Sequence, residues 1–174
     1  KLVDKSSEAS IKTFYSDEIP NEIKKTLKLY GYFKSKVTSK PPVYERNGWH
    51  GTFKADPGPP TKITEIDLKI LGEGNKDKII NYNLMKFPLK KGGIFQTEKY
   101  NTAKQFLFDL ADEYGYINAG FATKEIQIDL EKNTAKIILH FNTGPKYHFG
   151  KTFFKTHFFK ESFLRRFLTY KPGE

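Results

Sequence analysis

An internal repeat constrains this chain more than any other feature. Tyr30-Gly31-Tyr32 returns as Tyr114-Gly115-Tyr116, 84 residues on, and Asp56-Pro57-Gly58-Pro59 returns as Asn142-Thr143-Gly144-Pro145, 86 residues on. Two landmarks in the same order at nearly the same offset define a unit of about 80 residues, too long for a solenoid repeat and suited to a small domain.

Each landmark has a physical meaning. Tyr100, Ala103, Leu107, Leu110, Ala111 and Tyr114 recur at three- and four-residue steps, so 97–114 reads as an amphipathic helix. Gly115 then ends it in the left-handed conformation. The earlier copy runs Ile23, Leu27, Tyr30 and closes on Gly31. After the second Tyr-Gly-Tyr, Ile126, Ile128 and Leu130 alternate, Glu131-Lys132-Asn133-Thr134 turns, and Ala135, Ile137, Leu139 and Phe141 alternate again. That pattern is a hairpin, ended by the Gly-Pro.

Behind each Gly-Pro a new strand is expected. Ile63, Ile66, Leu68 and Ile70 lead into Gly72-Glu73-Gly74, and Ile79, Ile80, Leu84 and Met85 suggest a short helix closed by Pro88. After Gly144-Pro145, Tyr147, Phe149 and Phe153 predict a strand, and Phe163, Leu164 and Phe167 a helix. The chain stops at 170–174, where Lys90-Lys91-Gly92 stood in the previous copy. The expected organisation is therefore three parts: 1–60 the C-terminal part of a first unit, 61–145 a complete unit of order β-α-α-β-β, and 146–174 the beginning of a third, cut short. A first residue Lys1 instead of Met agrees with a processed product or a fragment.

Composition excludes several classes. Sixteen Phe and ten Tyr among 174 residues are too much apolar payload for a disordered chain. No apolar run reaches the roughly 18–20 residues of a membrane-spanning helix. Cys is absent, which removes disulfides, thiol catalysis and Cys-based zinc sites. The net charge of +10 sits at the ends: 1–60 carries 11 basic and 7 acidic residues, 61–145 carries 12 and 11, and 146–174 carries 7 and 2. A nucleic-acid module usually carries its basic surplus on its folded body, and the middle unit does not.

The ordered set Leu29-Tyr30-Gly31-Tyr32-Phe33, Asp56-Pro57-Gly58-Pro59-Pro60, Tyr114-Gly115-Tyr116 and 142–150 resembles the polypeptide-transport-associated (POTRA) domains of the BamA/TamA outer-membrane superfamily, most of all the TamA type. TamA-like chains usually carry an Asp and an Arg around the second glycine, where this sequence has Asn142 and Pro145-Lys146. The resemblance implies an α+β fold of tandem βααββ modules, each a three-stranded mixed sheet with two helices packed on one face. It implies a periplasmic arm ahead of a C-terminal β-barrel in the outer membrane of a Gram-negative bacterium. The partners it implies are unfolded outer-membrane or autotransporter substrates, a TamB-like inner-membrane partner and the protein's own barrel, with no enzyme activity and no cofactor.

In that family the second strand is an exposed edge to which an extended segment can add. Here it is Ala119, Gly120, Phe121, Ala122, Thr123, Lys124, Glu125, Ile126, Gln127 and Ile128. The plainer reading is a solvated edge protected by its charges. The inter-module joints would be Pro57, Gly58, Pro59 and Pro60, then Gly144, Pro145, Tyr147, Phe149 and Gly150.

Other motifs are weaker. Gly72-Glu73-Gly74 lacks the third glycine of a dinucleotide loop, which would fall at Asp77, so a helix start capped by Asn75 or Asp77 is expected. His50, His140, His148 and His157 have no ligand-spaced neighbours, although His140 and His148 flank the second joint. Asp112 and Glu113 are adjacent on a helix and diverge. Aromatic and basic residues alternate over 147–155, as on a strand that stacks single-stranded RNA, and this nucleic-acid reading is the alternative. Phe158-Phe159, Phe163, Phe167 and Arg165-Arg166 suit either a membrane surface or the core face of a truncated module.

Overall fold

Ala135, Ile137, Leu139 and Phe141 recur at every second position, which places all four on one face of a strand. The structure, a computed structural model describing residues 5–46 and 48–173, makes that strand the centre of a three-stranded sheet. In chain order the helices are α1 (Lys5–Thr13), α2 (Ile19–Leu29), α3 (Lys78–Asn83), α4 (Thr97–Glu113) and α5 (Glu161–Leu164). The strands are β1 (Lys36–Ser39), β2 (Val43–Glu45), β3 (Gly48–His50), β4 (Phe53–Asp56), β5 (Lys62–Leu71), β6 (Gly120–Asp129) and β7 (Thr134–Asn142).

The order β5-β7-β6 is mixed: β5 runs parallel to β7, and β6 antiparallel to it. The parallel crossover carries α3 and α4, which cover one face, so the α+β architecture of β-α-α-β-β is realised over 62–142. Ile80 of α3 and Tyr100, Ala103, Leu107, Leu110 and Ala111 of α4 are buried against Ile63, Ile70 and the four alternating residues of β7. Phe108, Phe121 and Phe141 meet edge to face, with centroids 5.0–5.4 Å apart. Fully burying side chains of this kind stabilises by about 1.5–3 kcal/mol each.

The opposite sheet face is open and charged. Lys136 Nζ lies 2.8 Å from Glu65 Oε1, and His140 Nε2 lies 3.0 Å from Asp67 Oδ2. Both pairs join β7 to β5: Lys136 faces Glu65 directly across the ladder, and His140 lies two residues past Ile138, which faces Asp67.

Before this unit, α1 passes through a π-helical turn (Phe14–Glu18) into α2. Pro20 near the start of α2 has no N–H for the ordinary helical bond, and the wider turn sits just ahead of it. The hairpin that follows breaks into two short ladders, β1 with β4 and β2 with β3, instead of two regular strands. Pro41-Pro42 interrupts its first arm, because proline cannot donate to a ladder. Residues 1–4 and Asn47 of the first part, and Glu174 of the last, lie outside the described residues.

One sequence expectation fails after residue 145, and the other is met only in a short form. No strand forms over Tyr147, Phe149 and Phe153. Over 62–142 the first strand is held by the last, and among the described residues nothing after 145 supplies such a partner. The helix through Phe163, Leu164 and Phe167 is one α-helical turn, α5, running into a 3-10 turn at Arg165–Phe167. Phe158 and Phe167 stand 92% and 69% exposed.

Candidate functional site

The joints repeat atom for atom. At the end of α4, Tyr116 N donates to Ala111 O (2.8 Å) and Gly115 N to Asp112 O (3.2 Å), with Gly115 at φ +84°. At the end of α2, Tyr32 N donates to Leu27 O and Gly31 N to Lys28 O, both at 3.0 Å, with Gly31 at φ +91°. Both are helix terminations that need the left-handed conformation glycine adopts without strain. Farther on, Gly58 N donates to Asp56 Oδ1 and Gly144 N to Asn142 Oδ1, each at 3.0 Å. An amide oxygen accepts as a carboxylate oxygen does, so Asn142 makes the turn that Asp56 makes. The chain then returns to the glycine: Thr61 N donates to Gly31 O (2.9 Å), and Tyr147 N to Gly115 O (2.8 Å).

The second joint is also bolted to the body of the unit, which the sequence did not disclose. Gly72-Glu73-Gly74 opens a 3-10 turn (Glu73–Lys76) that leads into α3, and Asp77 caps α3, accepting from Ile79 N at 2.8 Å; Asn75 does not cap it. The same motif grips the Asn142–Gly144 turn. Gly74 N donates to Thr143 Oγ1 (2.9 Å), Glu73 N to Gly144 O (3.2 Å), and Lys146 N to Glu73 Oε2 (2.9 Å). A Cβ on Gly72 would stand 2.7–2.9 Å from Asn142 Oδ1, Gly144 N and Thr143 Oγ1, so only glycine lets the turns interlock. The partners are about 70 residues apart in sequence, and no local pattern announces them.

Behind the bolt, the Tyr116 hydroxyl donates to Asp77 Oδ2 (3.0 Å), and Lys146 Nζ lies 3.6 Å from the same oxygen and 5.8 Å above the Tyr116 ring. Burial first, then the bond to Asp77, pushes the Tyr116 phenol up to about 12. For Asp77, burial alone acts upward and is the largest single influence. The Ile79 N–H, the Tyr116 hydroxyl, the Ile80 N–H and Lys146 together outweigh it and hold the carboxyl below its ordinary value.

The candidate edge residues Gly120 to Ile128 all lie on β6, and Ala119 sits just before it, its N–H donating to Tyr116 O (3.1 Å). β6 pairs with β7 on one side, and no strand pairs with its other side among the described residues. The register slips between Phe121 and Thr123, leaving Ala122 as a bulge. From Thr123 to Asp129 the ladder is regular. Lys124, Ile126 and Ile128 stand opposite Leu139, Ile137 and Ala135, on the helix-covered side. Lys124 is nonetheless exposed. A bulge and an inward-directed lysine are two devices that blunt a sheet edge.

Of the joint residues, Pro57, Gly58, Pro59 and Pro60 form the link from β4 to β5, and Gly144, Pro145, Tyr147, Phe149 and Gly150 follow β7. Phe149 stacks on Tyr170 at 4.1 Å, and its carbonyl accepts from Gly173 N at 2.8 Å. The stacking platform of the nucleic-acid alternative does not form, since 147–155 is not a strand. His140 is taken by Asp67, and His148 borders the groove beside Tyr147. Among the described residues no cluster of three or more His, Asp or Glu is placed to hold a metal, and no helix is long and apolar enough to cross a membrane.

Residues 67–144 match the family model of the POTRA domain, described as surface antigen variable number repeat, over just under half of the chain. Among solved structures the chain is similar to the POTRA3-5 segment of BamA from Haemophilus influenzae, at 16% identity and TM-score 0.47, covering 97% of this chain and 61% of that one. It is also similar to BamA from Haemophilus ducreyi lacking POTRA domains 1-3 (21%, TM-score 0.40, 85% and 24% covered). A third is POTRA1-2 of the periplasmic domain of Omp85 from Anabaena (15%, TM-score 0.39, 75% and 76%). The chain thus spans less than two thirds of the first two.

Proposed function

From the POTRA domain that residues 67–144 form, we propose that this chain is part of the periplasmic arm of an outer-membrane β-barrel assembly or translocation protein. Its modules run 1–60, 61–145 and 146–174, the outer two incomplete. It works by protein–protein contact and not by catalysis: it receives unfolded outer-membrane or autotransporter polypeptides and passes them toward a barrel borne by the longer protein. The TamA type, with a TamB-like inner-membrane partner, is the finer form of this reading, supported by the ordered Tyr-Gly-Tyr and Gly-Pro landmarks.

The observation that carries the reading is the one-sided pairing of β6. An incoming extended segment meets a row of main-chain donors and acceptors there, which gives affinity with little sequence preference. The bulge at Ala122 disrupts the row near its start, so within the candidate edge Ala119–Ile128 the docking stretch is the regular part, Thr123–Ile128.

The test is an amide-resolved NMR titration of the chain with a peptide copied from an outer-membrane barrel strand, at physiological salt. Shifts concentrated in Thr123–Ile128 are expected. A flat response along β6 would remove strand addition as the mechanism, and a response at 147–167 to an added single-stranded oligonucleotide that collapses with salt would return the nucleic-acid alternative.

A further inference from the structure

The first Tyr-Gly-Tyr turn is covered and the second is open. At the first, Phe95 N donates to Thr61 O (2.9 Å), and a Cβ on Gly31 would overlap the Phe95 carbonyl oxygen. Phe33, two residues past Gly31, packs its ring 6.1 Å from that of Phe95, which is 3% exposed. Counted from each glycine, Ile117 stands where Phe33 stands. By the shared bond to the glycine carbonyl, Tyr147 stands where Thr61 stands. Yet Ile117 is 62% exposed. A groove of about 510 Å³ opens beside it, bordered by Gly115, Tyr147 and Phe149.

The correspondence continues toward whatever fills that groove. Gly92 N donates to Ile63 O (2.7 Å), and three residues later Phe95 covers the first turn. Gly173 N donates to Phe149 O (2.8 Å) in the same relation, Phe149 being two residues past Tyr147 as Ile63 is two past Thr61. The path that delivers the covering residue is therefore already laid down.

The geometry points to this groove as the receiving site for an extended apolar segment equivalent to Gly93-Ile94-Phe95. The segment belongs to the third module, its third residue past Gly173 donating to Tyr147 O and laying a bulky apolar side chain on Ile117. This rests on the reading that 146–174 opens a third module. The joint then closes only when that module continues, which ties module orientation to completion of its fold.

The test extends the full chain past Gly173 with Gly-Ile-Phe-Gln-Thr, a copy of residues 93–97, in place of Glu174. A tether of this kind holds the segment at high effective concentration. Nuclear Overhauser contacts between the added Phe ring and the Ile117 methyls are expected. The added Phe amide should exchange on the order of tenfold more slowly than in a control extension carrying Ser in place of Phe. Absence of the contacts, with equal exchange in both extensions, overturns the proposal. So does concentration-dependent covering of Ile117 in the unextended chain, which would make a second copy the occupant. Neither result touches the response of β6 to a barrel-strand peptide, so the two readings fail separately.

Discussion

The Tyr116 hydroxyl donates to Asp77 Oδ2 across 3.0 Å, joining the turn that ends α4 to the cap that starts α3. The phenol is pushed up to about 12 from an ordinary 10.0. A group that holds its proton more tightly when folded contributes stability that is complete below pH 10 and is lost as pH rises from 10 toward 12. Denaturant midpoints for the parent chain should therefore fall between pH 9 and pH 11.5 by more than those of Tyr116→Phe. Parallel curves would remove the linkage. At neutral pH, Tyr116→Phe should cost roughly 0.5–1.5 kcal/mol, the net worth of one hydrogen bond.

Asp77 titrates in the opposite sense. Its folded pKa lies below the ordinary 3.8, despite burial that acts upward, because the Ile79 N–H, the Tyr116 hydroxyl and Lys146 favour the carboxylate. Its contribution is present above pH 3.8 and disappears as the pH falls through the folded value. Asp77→Asn should flatten the acid limb of the stability profile, measured by denaturant unfolding from pH 5 to pH 2.

Thr143 is 1% exposed, and its hydroxyl accepts from Gly74 N while its own proton reaches the Leu71 carbonyl oxygen at 3.1 Å. Thr143→Val keeps the shape and removes both bonds. The Gly74 N–H is left buried without its acceptor, which costs about 1–3 kcal/mol. The expected signature is a lower denaturation midpoint together with faster amide exchange at Gly74. Thr143→Ser should recover most of it. A larger loss in the Ser variant than in the Val variant would show that the methyl, and not the hydroxyl, holds the joint.

The parts of this architecture that were legible are those that local chemistry enforces. Gly31, Gly115, Gly58 and Gly144 all take positive φ, so the turns they make leave a fixed mark in the sequence. The alternation of Ala135 to Phe141 identifies a buried face by itself. The grip of Gly72-Glu73-Gly74 on Thr143 and Gly144 left no such mark, because its halves are distant in sequence and each has a local role as well. Tyr147, Phe149 and Phe153 were misread for a different reason. Alternation tells which side of a strand would be apolar, and it does not tell whether an edge exists for that strand to join.

Lys124 gives the edge strand its guard. It stands opposite Leu139 on the helix-covered side of β6, one step past the bulge, yet its side chain reaches solvent. Lys124→Val would extend the apolar row of Ile126 and Ile128 along an unpaired edge, the arrangement that invites strand-to-strand pairing. Sedimentation equilibrium should show stronger self-association for the variant than for the parent chain, and binding of a barrel-strand peptide should tighten. Unchanged association would mean that the Ala122 bulge protects the edge unaided.

The two joint glycines differ in what a methyl would meet, and this separates their substitutions. Both Gly31→Ala and Gly115→Ala must hold alanine near φ +90°, a strain of roughly 1–2 kcal/mol. At Gly115 the methyl would lie 2.6 Å from Tyr147 O, on a surface segment where Tyr147 is 44% exposed and is held by its amide donating to Gly115 O and its hydroxyl accepting from Asn118 Nδ2. At Gly31 it would overlap the Phe95 carbonyl oxygen, and Phe95 is buried in the core. Relief there must displace Phe95 and with it the start of α4. Gly31→Ala should therefore lower the unfolding free energy clearly more than Gly115→Ala, whose main effect should be rapid exchange of the Tyr147 amide. Equal losses in chemical denaturation would show that the first joint yields as readily as the second, and that the cover over Gly31 adds no rigidity.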